Sequence, residues 1–573
     1  MNIILAAVNA KYIHSNLAVY SLRAYARPYY QDISIAEYTI NQQTDDILQD
    51  LYLRAPQILC FSCYIWNIRY IEELSAEVKK VLPQVEIWLG GPEVSYDAKE
   101  TLKRMPEISG VIRGEGEKTF LELMKYYHGE GEGLERIEGI TWRNPEGEIF
   151  ENPWRPVMDL SEVPFVYEDM KEFQNKIIYY ETSRGCPFSC SYCLSSIDKC
   201  LRFRDIKLVK KELQFFIDQK VSQVKFVDRT FNCRHDHAME VWKYLKEHDN
   251  GVTNFHFEVA ADLLNEEEIS LIETMRPGLI QLEIGVQSTN PDTIREIQRV
   301  MKFTEVERIV KRINKGGNVH QHLDLIAGLP HEGIESFKNS FNDVYALEPE
   351  QLQLGFLKVL KGSYMEEQAK EYGLVCKSLP PYEVLSTNWI SYGEILELKM
   401  IEEMVEIYYN SGQFKYTVRF LLGEFESPYE MYEKLGRFYK KRALDQLNHS
   451  RIARYEILLQ FIEENVKEEK LPKYRELLTY DLYLRENVKN RPAFAGEYLI
   501  TKEELQEFYD REERERELLK GYGQYDKRQL RKMTHVEKFR YNVEGNMEKE
   551  ETCLLFDYQN RSPLTHQASV FRI

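Results

Sequence analysis

Arg184-Gly185-Cys186-Pro187-Phe188-Ser189-Cys190-Ser191-Tyr192-Cys193 is the stretch from which the rest of this sequence is read. Cysteines separated by three and then two residues let a tight loop wrap three thiolates around one face of a cubane iron–sulfur cluster. Ferredoxin-type clusters use four protein thiolates. Three leave one iron open, and an open coordination position separates a reactive metal site from a structural one. Zinc is the competing reading, but nearby sequence has no paired C-x-x-C and no His at finger spacing. Cys200, seven residues on, is an alternative fourth ligand, although a lone cysteine is more often a small buried hydrophobe.

This run resembles the CxxxCxxC signature of the radical S-adenosylmethionine (radical SAM) superfamily, in which an aromatic, here Tyr192, also precedes the last cysteine. The resemblance implies that Cys186, Cys190 and Cys193 hold a [4Fe-4S] cluster. It implies that the open iron binds S-adenosylmethionine (SAM), and that an electron from the cluster cleaves SAM to a 5′-deoxyadenosyl radical. A reductant such as flavodoxin or ferredoxin is then expected as a partner.

A chain of 573 residues leaves room for two to four domains with ample core. No run approaches the roughly 18 apolar residues of a membrane span, and Met1-Asn2-Ile3-Ile4-Leu5 lacks a basic leader and reads as a first strand. Nine cysteines in so long a chain are no disulfide scaffold, and a cluster-forming triplet needs a reducing compartment, so the expected location is the cytoplasm. The net charge of −18 argues against a broad nucleic-acid surface.

Residues 1–130 alternate strands, at 3–8, 34–38, 58–62, 86–89 and 110–113, with helices such as 68–81 and 118–127. This rhythm predicts a doubly wound parallel sheet of Rossmann or flavodoxin type. Ligands of such sheets sit beyond the carboxyl ends of the strands. The loops falling there are Ser62-Cys63-Tyr64-Ile65-Trp66-Asn67, Gly90-Gly91-Pro92-Glu93 and Arg113-Gly114-Glu115-Gly116-Glu117. Taken alone, the glycines read equally well as tight strand–helix turns. Placed before the triplet, the GGP and GEGE turns resemble the cobalamin-binding domain of cobalamin-dependent radical SAM enzymes. That resemblance implies cobalamin contacts from Ser62, Gly90, Gly91, Gly114, Glu115 and Gly116. The region Tyr12-Ile13-His14-Ser15-Asn16-Leu17 departs from the DxHxxG motif of cobalt-ligating domains, with Tyr for Asp and Leu for Gly. His14 is therefore expected at the start of a helix or on the surface, without a carboxylate to orient it as a ligand.

Residues 131–176 read as a hairpin followed by a proline-marked linker, and 177–362 as a partial (βα)6 barrel of TIM type, with strands at 179–182, 223–227, 254–259, 279–284, 320–326 and 353–359. Barrel chemistry sits at the C-terminal ends of strands. The polar residues there resemble the coproporphyrinogen-oxidase and methylthiotransferase branches of the superfamily. That resemblance assigns Glu258 to the SAM amine, Gln287 and Asp324 to the ribose and Arg299 to the carboxylate. Asp228 is read as support for the site, and Cys233, His235 and His237 as alternative linings of the substrate side. Residues 363–573 read as a mainly helical domain, with an exposed helix over 510–532 and no motif that carries chemistry. They resemble the C-terminal segment of unknown function in one subgroup of cobalamin-binding radical SAM proteins. The combined resemblance implies methyl transfer to an unactivated position, with cobalamin-dependent oxidation or rearrangement as the alternative. RNA modification of methylthiotransferase type is a weaker reading, because the N-terminal domain has only Cys60 and Cys63 where those enzymes carry a further cluster.

Overall fold

The computed structural model describes all 573 residues, Met1–Ile573. They form two compact units: Met1–Gly316 with Ile326–Gly333 and Gly355–Tyr392, and Gly317–Leu325 with Ile334–Leu354 and Gly393–Ile573.

The first unit opens with a seven-stranded sheet of order β2-β1-β3-β4-β5-β6-β7. Its strands are β1 (Ile3–Asn9), β2 (Ile33–Thr39), β3 (Ile58–Ser62), β4 (Glu86–Gly90), β5 (Gly110–Ile112), β6 (Ile140–Arg143) and β7 (Ile149–Glu151). The first five run parallel. All seven residues of β1 and all five of β3 are buried, as expected of strands covered by helices on both faces. The helix Ile68–Val81 shows why: Ile71, Leu74 and Val78 fall on one face and pack beneath Leu59, Phe61, Ile87 and Leu89. Each such side chain contributes about 1.5–3 kcal/mol on burial. The 139–150 hairpin, read from the sequence as part of a connecting segment, instead completes this sheet: β6 pairs antiparallel with β5, and β7 with β6.

The same unit continues into four parallel strands of order β13-β12-β11-β8: β8 (Ile178–Tyr180), β11 (Gln223–Phe226), β12 (Asn254–Val259) and β13 (Ile280–Gln287). Between β8 and β11 lies a short antiparallel pair, β9 (Ser183–Arg184) with β10 (Arg202–Phe203). One face of the parallel strands is apolar: Tyr180, Phe226 and Phe257 form an aromatic core with Phe216, Phe231 and Trp242. Alternation puts Tyr179, Lys225, His256, Glu258, Glu283 and Gln287 on the opposite face. There Glu283 accepts Lys225 Nζ at 2.9 Å and His256 Nε2 at 3.0 Å. Burial opposes its ionisation, but these two partners prevail and hold the carboxyl at about 2. The strand–helix rhythm then runs on through β14 (His320–Ala327) and β15 (Gln351–Phe356), which are neighbours in a sheet.

The second unit carries the helices Pro428–Lys441, Arg451–Asn465 and Leu471–Arg485. It is not helical throughout. Thr534–Phe539, Thr552–Arg561 and Ala568–Arg572 form an antiparallel sheet packed on Leu477, Tyr480 and Leu484. The single helix expected over 510–532 is also two: Lys502–Glu515 stops at Arg516, whose φ is +51°, and Lys527–Met533 starts from an Asp526/Gln529 capping box.

Candidate active site

The triplet loop is built from the end of β8. Asp228, beyond β11, is buried and accepts hydrogen bonds from the Thr182 amide (3.0 Å), the Thr182 hydroxyl (2.6 Å) and the Ser183 hydroxyl (2.5 Å). His237 Nε2 lies 2.9 Å from the same Thr182 hydroxyl, and its pKa falls to about 4 through burial and Arg234. These contacts fix the chain just before β9, and β9 with β10 closes a hairpin around residues 185–201. Within it Cys186 and Cys190 are buried, Cys193 is half-buried and Cys200 is exposed. Burial first, then the neighbouring Cys193 and Cys190 thiols, raise the Cys186 pKa. Cys233 is pushed up to about 11 by burial and by Cys186, whereas His235 is paired with Glu268 at 2.9 Å. Three adjoining thiols, with Cys200 outside them, are a donor set that fits a cluster held at three irons.

Next to this loop, Arg299 Nη1 lies 3.3 Å from the Tyr192 hydroxyl and 3.8 Å from Cys190 Sγ, while Nη2 donates to the Gly285 carbonyl. Gly285 makes this possible: a Cβ there would sit 2.4 Å from Gln287 Nε2 and 3.4 Å from Arg299 Nη2. Gln287 adopts φ +72°, rare for a residue with a side chain. Its Oε1, like Arg299 Nε, is buried without a hydrogen-bond partner. Such orphaned atoms are costly unless a ligand meets them, and an amino-acid carboxylate with ribose hydroxyls fits them. Glu258 is on β12, in register with Glu283 of β13. Asp324 is on β14, in the second unit, paired with His322 Nε2 at 3.0 Å.

At the carboxyl edge of the N-terminal sheet, the Ser62 hydroxyl accepts Asn16 Nδ2 at 3.0 Å, and the Gly114 amide donates to the Ser95 hydroxyl at 3.3 Å. Gly91 has φ +116° and lies against the backbone of Cys63. This edge carries exposed aromatic surface: Tyr64 stacks on Trp66 with centroids 4.4 Å apart, and Tyr96 tilts against Trp154 at 6.1 Å. Trp66 and Trp154 remain 42% and 50% exposed. Aromatic surface left open at a ligand-binding edge fits a corrin macrocycle. Of the two positions expected of His14, it takes the helix-entry one: it lies just before the helix Leu17–Ala26, partly buried, with Nδ1 2.6 Å from the Tyr179 hydroxyl of β8. Cys60 and Cys63 are buried in the sheet, and burial raises the Cys60 pKa to about 12, an unsuitable setting for cluster thiolates.

Sequence reasoning missed the charges that join this edge to the triplet hairpin. Arg184 meets Glu117 (2.5 Å), Glu115 (3.5 Å) and Glu181 (3.0 Å), and Arg202 meets Glu115 and Asp198 (3.2 Å). Lys361 reaches Glu93 (3.2 Å) and Asp97 (2.9 Å) beside the GGP turn. Also missed was the polar strand face, whose signal is the alternation in Gln223-Val224-Lys225-Phe226 and Gln281-Leu282-Glu283-Ile284.

Comparison with known sequence families places a B12 binding domain at residues 3–124, a Radical SAM superfamily domain at 180–344 and a protein of unknown function (DUF4080) domain at 370–556. The chain is a B12-binding radical SAM protein. A radical SAM domain implies a [4Fe-4S] cluster and SAM, and a B12-binding domain implies cobalamin. Among curated relatives, 2-(S-pantetheinyl)-carbapenam-3-carboxylate methyltransferase of Streptantibioticus cattleyicolor is 23% identical over 425 residues, 68% of this chain and 62% of that one. Anaerobic magnesium-protoporphyrin IX monomethyl ester cyclase of Rubrivivax gelatinosus is 23% identical over 328 residues, 54% of this chain and 58% of that one. The chain thus spans about three-fifths of the length of these relatives. Among solved structures, the cobalamin-dependent SAM radical enzyme OxsB with aqua-cobalamin and SAM bound shares the fold. It aligns at TM-score 0.57 and 16% identity, over 84% of this chain and 79% of that one. No helix is long and apolar enough to cross a membrane.

Proposed function

We infer that this B12-binding radical SAM protein transfers a methyl group to an unactivated position of its substrate. The observation that supports the reading is the orphaned pair Gln287 Oε1 and Arg299 Nε beside the three-thiol loop, in the same unit as the exposed aromatic edge of the N-terminal sheet. When bound, the cluster supplies one electron to SAM, and cobalamin carries the methyl group. Cys186, Cys190 and Cys193 hold the cluster from one side. Arg299 binds the SAM carboxylate through its fork, Glu258 takes the amine and Gln287 a ribose hydroxyl. The burial of Cys186 and Cys190 would keep bulk water from that side of a cluster bound there. A flavodoxin or ferredoxin is the expected electron donor.

The second reading, oxidation or ring closure without methyl transfer, is favoured by the likeness to the anaerobic cyclase. SAM labelled with deuterium in its methyl group separates the two, with products followed by mass spectrometry in anaerobic extract. A product three deuteriums heavier supports methyl transfer, and an unlabelled oxidised or cyclised product overturns it.

A further inference from the structure

We propose that the Gly114–Glu117 turn is an electrostatic clasp on the triplet hairpin, in which Glu115 and Glu117 act as positioning residues for the cluster. The inference rests on the reading of Cys186, Cys190 and Cys193 as cluster ligands. It assigns the GEGE carboxylates to the hairpin, not to a cofactor.

Arg184 and Arg202 are direct partners on β9 and β10, so two guanidiniums stand side by side on adjacent strands. Like charges directly opposite destabilise such a pair unless anions intervene. The turn supplies them. Glu117, only 4% exposed, takes Arg184 Nη2 on Oε1 (2.5 Å) and Nη1 on Oε2 (3.3 Å), a two-pronged contact. Glu115 reaches across to Arg202 while lying 3.5 Å from Arg184, so it bridges both strands. Glu115 Oε2 also accepts the Met158 amide at 3.1 Å, which ties the turn to the linker.

The hairpin transmits this grip to the loop it encloses. Arg184 is two residues from Cys186, and the Cys186 amide donates to the Asp198 carbonyl at 3.3 Å. Arg202 holds the returning strand through the Cys200 carbonyl (2.7 Å) and Asp198 (3.2 Å). Removing one partner of a buried, forked ion pair destabilises the segment it holds, because the remaining charge loses a close counter-ion without regaining water. Since the turn follows β5 at the ligand-binding edge, the clasp also makes cluster geometry sensitive to what that edge holds.

The test uses anaerobically purified holoprotein, reading iron content, the cluster's midpoint potential and its electron paramagnetic resonance spectrum. Glu117→Gln removes one negative charge near the hairpin and the forked contact to Arg184, which keeps Glu115 and Glu181. We expect full iron content with an upward shift in potential and an altered spectrum. Glu115→Gln/Glu117→Gln should lose cluster on gel filtration. Glu122→Gln, whose partner is Arg155, is the control and should match wild type. Where Glu117→Gln fails to fold, Glu117→Asp keeps the charge but shortens its reach and should show the altered spectrum. Wild-type potential and spectrum in the folded Glu117 variant overturn the clasp. A Cys186→Ala/Cys190→Ala/Cys193→Ala variant that keeps its iron–sulfur spectrum instead overturns the cluster-loop reading beneath it.

Discussion

Replacing Gly91 by alanine separates two explanations of the GGP turn, a surface for a ligand and a requirement of the fold. Gly91 follows β4 with φ +116°, outside the range open to residues with a Cβ. The added carbon would lie 2.4 Å from the Cys63 carbonyl oxygen and 3.1 Å from the Cys63 nitrogen. Neither atom can rotate away, because both belong to the Cys63 backbone, whose amide N–H donates a hydrogen bond to the Gly90 carbonyl at 2.6 Å. The strained backbone costs about 1–2 kcal/mol, and overpacking adds about 1–3 kcal/mol. Gly91→Ala should therefore destabilise by about 2–5 kcal/mol. Gly90→Ala meets nothing closer than 3.7 Å and should fall within about 1 kcal/mol of wild type. Urea denaturation followed by circular dichroism of wild type, Gly90→Ala and Gly91→Ala makes the comparison. If Gly91→Ala melts with wild type, the turn is free of internal constraint and its glycine is there for a ligand. If it melts early, cobalamin loss in any Gly91 variant reports on the shape of the β4 turn.

Arg299→Ala should weaken SAM binding by about 1.5–3 kcal/mol, the range for hydrogen bonds to charged groups, or roughly 10- to 150-fold. Equilibrium dialysis reads this, with the cluster absorption kept. Cys200→Ala should retain iron and SAM cleavage, because Cys200 is exposed; loss of iron would make it a ligand. Asp481 accepts the Tyr416 and Thr417 amides at the start of the helix Lys415–Leu421, and burial raises its pKa from 3.8 to about 7. Its folded value exceeds its unfolded one, so the stability it adds is present below about pH 4 and is lost as pH rises through 7. Thermal melts should fall across that window, and Asp481→Asn, which still accepts one amide, should flatten the slope.

The N-terminal sheet was legible because its strands are continuous apolar runs with glycine turns between them, so local composition alone marks them. The helix Ile68–Val81 was read to the residue from its repeating apolar face. Long-range charge pairs have no such local mark. Glu115 and Glu117 look identical in a GEGE turn whether they meet a ligand or Arg184 and Arg202, which are 67 to 87 residues away. The C-terminal sheet was missed because Thr552–Arg561 buries Leu554, Leu555 and Phe556 in succession, which erases the alternation that marks a half-buried strand. At the candidate SAM site, the sequence marked residue types one by one. The crossing of Gln287 and Arg299 over Gly285 depends on a positive φ that no local signal announces.

We take the Cys186–Cys190–Cys193 loop to hold a cluster that cleaves SAM. The measurement that tests it most directly is 5′-deoxyadenosine formation by anaerobically reconstituted, reduced protein, quantified by mass spectrometry beside Cys193→Ala. Wild type should give 5′-deoxyadenosine and an iron–sulfur absorption, and the variant neither. Reconstituted wild type that carries a cluster yet releases no 5′-deoxyadenosine from SAM, or a Cys193→Ala variant that releases it at the wild-type rate, would contradict it.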